Sequence, residues 1–160
     1  ADLLERKLFD RGIRTMILDG DNVRMGLCRG LGYSQKDRTE NIRRVAEVAR
    51  LLNEAGTVVL CSFISPLISD RKMALEIIGR DSFMEIFVNA SLDTCIRRDV
   101  KGLYRKAISG EIREFTGISS PYEKPLDADI VINTDCLTAD ACVNAVFDKI
   151  LSELSDRQSI

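Results

Sequence analysis

The sequence contains no histidine among its 160 residues. This absence excludes histidine general bases, Ser-His triads and histidine-ligated metals, so any catalysis must use carboxylates, lysine, arginine, serine or tyrosine. The five cysteines, at positions 28, 61, 95, 136 and 142, include no CxxC pair. An odd number of cysteines spread through apolar segments predicts reduced core thiols in a cytoplasmic protein.

The chain also lacks an excess of charge and a long apolar run. With 23 basic and 25 acidic residues the formal net charge is −2, so no overall field attracts nucleic acid or an anionic membrane. No apolar run approaches the roughly 18 residues of a membrane-spanning helix, and no secretory signal opens the sequence. We therefore expect a cytoplasmic protein whose partners include neither nucleic acid nor a membrane.

Apolar patterning predicts helices that alternate with strands. Ser34 and Asp37 form a predicted capping box, and Gly56 ends the helix that follows. Alternation implies right-handed crossovers and a parallel sheet with helices on both faces, and 160 residues favour one domain, 1–160. The predicted strands are 14–19, 57–64, 83–88 and 129–133, the predicted helices are 4–11, 34–55, 70–78, 91–98 and 138–154, and residues 100–126 are polar and aperiodic.

Two polar motifs lie where predicted strands end. DGDNVR (19–24) places Asp19 and Asp21 directly after the first strand, and SFISP (62–66) ends the second. Ligands of parallel sheets bind at the carboxyl ends of the strands. Two carboxylates beside a triphosphate can orient magnesium-bound water and accept a hydroxyl proton, although Asp-Gly is also a common turn signal.

A third motif, DRTENIRR (37–44), lies on the helix that begins near Ser34. Its residues Arg38, Asn41 and Arg44 are three apart and form a slanting row along one ridge of that helix. Guanidinium groups match phosphate and sulfate oxygens, but charged residues on a helix are also common on a solvated surface.

Together with KGLY…GEIREFTGISSPYEKP (101–125), these motifs resemble those of adenylylsulfate kinase. This family transfers the γ-phosphate of ATP to the 3′-hydroxyl of adenosine 5′-phosphosulfate (APS), giving 3′-phosphoadenosine 5′-phosphosulfate. The resemblance extends from Gly12 to about Leu154. It implies the P-loop kinase fold, an α/β three-layer sandwich around a parallel sheet, with ATP and Mg²⁺ as cofactors.

The resemblance also draws attention to a missing motif. Family members carry a G-x-x-x-x-G-K-[ST] loop, which holds the β- and γ-phosphates, immediately before the helix that opens this chain. The 160 residues contain no such pattern, and residues 1–9 already have a helical spacing. We therefore expect a chain truncated at its N-terminus, without the first central strand and Walker A loop, and with a gap in its sheet.

The resemblance implies catalytic roles for three residues. Asp21 is the better candidate for the base and Asp19 for metal-side support, although the sequence leaves that division open. Ser65 has either a positioning role or the role of a phosphoserine intermediate. We favour positioning, because the sequence has no histidine to activate Ser65 and direct in-line transfer needs no enzyme nucleophile.

The resemblance further implies a substrate site. Arg24, Arg38 and Asn41 would bind the phosphosulfate, and the rings of Tyr33 and Phe115 would sandwich the adenine, although each could instead be an ordinary surface or core residue. The complete predicted substrate-binding set is Asp21, Asn22, Arg24, Tyr33, Arg38, Asn41, Ile64, Ser65, Lys101, Glu114 and Phe115.

Residues 100–120 are predicted to form a lid that closes over both ligands and excludes water. Lys101, otherwise a simple surface lysine, would contact the bound nucleotide or substrate. Arg97 and Arg98 lie near the hinge of this lid and would approach the ATP phosphates.

Two other functions compete with the kinase. A non-catalytic, nucleotide-sensing regulatory domain would explain the missing phosphate loop, but the intact DGDN motif and lid argue against it. Another small-molecule P-loop kinase would not explain ENIRR together with EFTGI. The resemblance also implies a homodimer, fused to or associated with ATP sulfurylase in some members.

Overall fold

The protein, described for residues 1–158 by a computed structural model, alternates helices and strands along most of its length. The first half contains α1 (Asp2–Phe9), β1 (Thr15–Asp19), α2 (Gly20–Met25), α3 (Gln35–Glu54), β2 (Val58–Ser62) and α4 (Ile68–Ile78). The second half contains β3 (Ile86–Asn89), α5 (Leu92–Arg98), α6 (Leu103–Ile108), β4 (Ile130–Asn133) and α7 (Ala139–Gln158), and a 3₁₀ turn spans Arg80–Ser82.

All four predicted strands and all five predicted helices are present, but two short helices were not predicted. Helix α2 has six residues and begins with a glycine, so it is too short to show a helical period. Helix α6, also of six residues, lies inside the segment predicted to be aperiodic. That part of the prediction is wrong, because part of the segment 100–126 is helical.

Helix α3 forms for the reasons that its sequence suggests. The Ser34 hydroxyl accepts a hydrogen bond from the Asp37 N–H at 3.2 Å, so the predicted cap is confirmed. The buried face includes Val45, Ala46 and Ala49. Directly after the helix, Gly56 has a φ of 76°, a left-handed conformation that costs glycine little.

The described strands form two parallel pairs. Strand β1 pairs with β2 and strand β3 with β4, so within residues 1–158 the sheet consists of two separate two-stranded parts. A cleft of about 1610 Å³ is lined by Cys61 and Phe63 on the β2 side and by all four residues of β3. This cleft therefore separates the β1–β2 pair from the β3–β4 pair.

Helices cover both faces of these strands. On one face Leu4 and Leu8 of α1 pack with Ile132 of β4 and with Phe147 and Ile150 of α7. Burying side chains of this size contributes about 1.5–3 kcal/mol each.

On the other face, Leu18 of β1 packs with Val23 of α2 and with Val45 and Ala49 of α3. The two cores lie on opposite faces of the strands, which matches the three predicted layers of helices, sheet and helices. They leave the carboxyl ends of β1 and β2 free for the site.

The cysteines are free thiols, as predicted, but not all belong to the core. Cys28 is buried, whereas Cys61 and Cys136 are exposed. The prediction of core thiols is therefore wrong for those two. No helix between residues 1 and 158 combines the length and the apolar character that crossing a membrane requires.

Candidate active site

Asp19 links the end of β1 to the start of α2. Its Oδ1 accepts hydrogen bonds from the backbone N–H groups of Asp21, at 2.7 Å, and Asn22, at 3.2 Å. This is the geometry of a helix N-cap, and it explains why a helix starts at Gly20. Asp19 therefore has a structural task that fixes the backbone of Asp21.

Asp21 forms an ion pair with Lys101 from the predicted lid. The Lys101 ammonium lies 2.6 Å from Asp21 Oδ2, and both side chains are largely exposed. The hydrogen bond and the charge of Lys101 lower the pKa of Asp21, and Asp21 in turn raises the pKa of Lys101. An exposed pair contributes little to stability, but it shows that a lysine of the predicted lid lies within reach of the Asp21 carboxylate.

Arg24 and Tyr33 pack against each other beside the acid pair. The Arg24 guanidinium donates to the carbonyl oxygens of Leu31, at 3.1 Å, and Gly32, at 2.9 Å. Its central carbon lies 4.5 Å from the centroid of the Tyr33 ring, within the range of a cation–π contact. The Tyr33 side chain remains exposed, so its outer face can receive a ligand.

Arg38 connects helix α3 to the predicted lid. Its Nε donates to the Tyr33 carbonyl at 2.7 Å, Nη1 donates to the Thr116 hydroxyl at 2.9 Å, and Nη2 donates to the Glu114 carbonyl at 2.6 Å. Arg38 is thus not a freely solvated residue of the helix surface. One planar fork holds both the foot of α3 and the far end of the lid segment.

Asn41 presents an unused donor. The residue is 3% exposed, and its Nδ2 has no hydrogen-bond partner within the described residues. Buried amide groups are nearly always hydrogen-bonded in proteins, so an unpaired donor at this depth calls for a partner. Asn41 lines the cleft beside Arg24 and Arg38, where a ligand oxygen would meet that need.

Most of the predicted site residues line two neighbouring clefts. The smaller, of about 260 Å³, is lined by Asp19, Asp21, Arg24, Tyr33, Arg38, Asn41, Ile64 and Ser65 from the predicted set. Five of these also line the larger cleft, which adds the three predicted residues of the lid: Lys101, Glu114 and Phe115.

Three predicted residues do not line either cleft. Asn22 contributes its backbone to the Asp19 cap. Arg97 donates to the Thr94 hydroxyl at 2.9 Å, and Arg98 donates to the Thr134 carbonyl at 2.7 Å. Roles for these three residues toward a ligand remain predictions.

Phe115 packs within the lid segment itself. Its ring lies 4.9 Å from the ring of Tyr104 on α6, in an edge-to-face arrangement. This contact explains how the predicted lid holds its shape. The sandwich of an adenine between Phe115 and Tyr33 stays a prediction.

Sequence reasoning missed a buried charge beside the site. Arg71 of α4 is 9% exposed, and its Nη1 donates to the Ser65 carbonyl at 2.7 Å. The preceding residue, Asp70, is also buried and accepts a hydrogen bond from the Thr39 hydroxyl at 2.9 Å. The sequence carries no local signal of this burial, because an adjacent Asp-Arg pair on a helix is usually exposed to solvent.

The acid pair suits one kind of metal site. Within the described residues, no group of three or more histidine, cysteine or acidic side chains could hold a metal ion by itself. Magnesium, however, is commonly held by one or two carboxylates together with substrate phosphates. Asp19 and Asp21, as hard oxygen donors at the cleft, fit that second arrangement.

Comparison with known proteins places these features in a family. A sequence model described as adenylylsulphate kinase matches residues 1–133. The adenylyl-sulfate kinase of Pseudomonas aeruginosa is 51% identical over 158 residues, which cover 99% of this chain and 79% of that protein. The bifunctional enzyme NodQ of a Rhizobium species is 52% identical over 146 residues, covering 91% of this chain but 23% of that protein.

A solved structure is similar along nearly the whole chain. It is the APS kinase CysC of Mycobacterium tuberculosis in complex with AMPPNP and APS, with a TM-score of 0.85 and 42% sequence identity. The similarity covers 97% of this chain and 88% of that one. The fold and the sequence therefore point to the same relatives.

Proposed function

Because this chain belongs to the adenylylsulphate kinase family, we propose that its two clefts together bind APS and carry its phosphorylation at the 3′-hydroxyl by ATP. One observation carries the assignment of the site. The acid pair, two arginines, an exposed tyrosine ring and an unpaired buried amide converge on one cleft at the carboxyl ends of β1 and β2.

The substrate side of the cleft follows from charge and shape. Arg24 and Arg38 both flank the ring of Tyr33, with guanidinium carbons 4.5 and 6.0 Å from its centroid. A nucleotide whose base stacks on that ring would bring its phosphosulfate to the guanidinium groups and to the Asn41 donor. Charge-assisted hydrogen bonds of this kind fix both the position and the orientation of an anion.

The chemistry requires a proton acceptor. We assign this task to Asp21, whose backbone the Asp19 cap fixes and whose carboxylate faces both clefts. The Lys101 ammonium lowers the pKa of Asp21 and so weakens it as a base. Once Lys101 turns to ligand oxygens, the Asp21 carboxylate can take the proton of the 3′-hydroxyl as the hydroxyl attacks the γ-phosphorus of ATP. The bond from that phosphorus to the bridging oxygen breaks, and ADP leaves.

Asp19 would help to hold a magnesium ion bound to the nucleotide phosphates. Bound magnesium supplies neutralisation of the charge that develops on the transferring phosphoryl group. Lys101 would exchange its pairing with Asp21 for ligand oxygens as substrates enter. Arg97 and Arg98 remain our candidates for contacts with the ATP phosphates.

We expect Ser65 to position the substrate rather than to become phosphorylated. Ser65→Ala should retain measurable turnover, because direct transfer places no covalent bond on the enzyme. Incubation with γ-labelled ATP, quenching and peptide mapping should find no accumulated phosphoenzyme. A stoichiometric phosphate on Ser65 that is passed on to APS would contradict this expectation.

Stacking on Tyr33 makes a separate prediction. Tyr33→Phe should leave APS affinity within about threefold of the parent, because the ring remains, whereas Tyr33→Ala should weaken it by about tenfold or more. Calorimetric titration with APS measures both changes. Equal effects of the two Tyr33 variants would mean that the ring does not stack.

The activity itself is tested by ADP release in a coupled assay with ATP, magnesium and APS. With the upstream phosphate loop of the family present, we expect turnover with APS and none with AMP or shikimate, because only APS presents a phosphosulfate to Arg24 and Arg38 along with an adenosine 3′-hydroxyl. Equal turnover on AMP or shikimate would contradict the assignment. Saturable APS binding with no turnover would favour a regulatory, nucleotide-sensing domain.

We also infer a homodimer, with association or fusion to an ATP sulfurylase as a further arrangement. The similarity to part of the bifunctional NodQ supports the idea that such a domain works within a larger enzyme. Size-exclusion chromatography with light scattering measures the oligomeric state directly.

A further inference from the structure

An unusual backbone conformation lies at the centre of the site. Ser65 has a φ of 36°, and every other positive-φ residue in the described part of the chain is glycine. L-residues rarely adopt this region, and such a conformation persists only where its surroundings fix it. Because Ser65 and its neighbour Ile64 line both clefts, whatever fixes Ser65 also places these two residues toward a ligand.

Arg71 contacts the backbone of Ser65. Its Nη1 donates to the Ser65 carbonyl at 2.7 Å, its Nη2 donates to the Glu123 carbonyl at 2.8 Å, and its Nε lies 2.8 Å from Glu85 Oε1. The planar guanidinium presents these donors in fixed directions. A single buried side chain therefore joins the Ser65 loop to Glu85, directly before β3, and to the segment that follows the lid.

The Glu123 anchor is held independently of Arg71. The Glu123 N–H donates to the Pro66 carbonyl at 2.8 Å, and its Oε2 accepts from the Ile68 N–H at 2.7 Å. Next to it, the Tyr122 ring stacks on Phe87 of β3 at 6.1 Å. The Glu123 carbonyl, which accepts the hydrogen bond from Arg71 Nη2, is thus held in place by other contacts, and Arg71 can hold Ser65 relative to it.

We propose that Arg71 is a positioning residue for the phosphoryl-transfer cleft, which holds Ser65 in its left-handed conformation and so places Ser65 and Ile64 against APS. Taking a guanidinium out of water is costly, and a structural ion pair would need only Glu85. The additional bond to the Ser65 carbonyl directs this charge toward the cleft. The inference rests on the proposed function, which assigns Ser65 and Ile64 to APS.

The first test is Arg71→Lys. Lysine keeps a positive charge beside Glu85, but a single ammonium on a flexible stem does not reproduce the fork. We expect the KM for APS to rise about tenfold, the size of losing one charge-assisted hydrogen bond, with the KM for ATP nearly unchanged. The matched control is Lys72→Arg, at the exposed neighbouring position, which should change none of these values.

A second background separates positioning from general stabilisation. Glycine adopts a positive φ without support, so Arg71→Lys should weaken APS binding less in a Ser65→Gly chain than in the parent chain. A merely structural Arg71 would instead give equal losses in both backgrounds, and that result would overturn the inference. Where Arg71→Lys does not fold, the pair Arg71→Met with Glu85→Gln removes both charges, and the same comparison decides.

The result for the parent protein shows whether the role of Arg71 or the proposed function itself has failed. A parent that phosphorylates APS, with an Arg71→Lys variant whose KM for APS is unchanged, removes the role of Arg71 alone. A parent that neither binds nor phosphorylates APS removes the proposed function, and the role of Arg71 with it.

Discussion

Replacing Asp21 by asparagine should lower kcat for APS phosphorylation by about 10²- to 10⁴-fold, the usual contribution of a positioned general base. Asparagine has nearly the same shape, but it cannot accept the 3′-hydroxyl proton and would bind magnesium more weakly. APS should still bind, because the tyrosine ring, the arginines and the Asn41 amide are unchanged. Steady-state kinetics measure the loss, and calorimetry with APS measures the binding.

The chain offers a matched control in Asp10, an exposed aspartate just after α1 and outside both clefts. Asp10→Asn removes the same charge, so its kcat should stay close to the parent value. If Asp21→Asn keeps a rate within about threefold of the parent, under ~1 kcal/mol in the barrier, Asp21 has no central role. A large loss of APS binding in that variant would instead mean that Asp21 binds the substrate and does not act as the base.

The acid pair shows what the sequence could and could not predict. The motif DGDNVR placed Asp19 and Asp21 at a strand end, and the structure places them there. The helix cap made by Asp19 was not predicted, because the two donor N–H groups belong to a helix too short to leave a periodic pattern. A single local motif thus indicated the position of these groups but not the division of labour between them.

Contacts that join distant segments were out of reach for a different reason. Arg38 meets Thr116 across 78 positions of sequence, and Lys101 meets Asp21 across 80. Neither pairing leaves a periodic or local trace, since each depends on how the segment after α5 returns over the carboxyl ends of the strands. The resemblance to a known family named these residues as site residues, whereas only the structure shows which of them hold each other.

Arg38 makes the second large prediction. Arg38→Ala should weaken APS binding by about ten- to a hundredfold, because a charge-assisted contact is typically worth about 1.5–3 kcal/mol. Its three present hydrogen bonds, to Tyr33, Glu114 and Thr116, would be lost as well, so the lid segment should also open more readily. ATP affinity should barely change, because Arg38 contacts Tyr33 and Glu114, which are both assigned to APS. Titrations with both nucleotides measure the two affinities.

Two variants separate the anion contact from the lid contact. Thr116→Val removes only the hydroxyl that Arg38 reaches, so it should free the lid while costing APS binding less than Arg38→Ala does. Arg43→Ala, on the same helix, removes an exposed arginine whose partners are Glu40 and Glu47, and it should leave both affinities unchanged. If Thr116→Val costs as much as Arg38→Ala, the arginine acts through the lid and not on the anion. If Arg38→Ala instead damages ATP binding and spares APS, the two nucleotide sites are assigned the wrong way round.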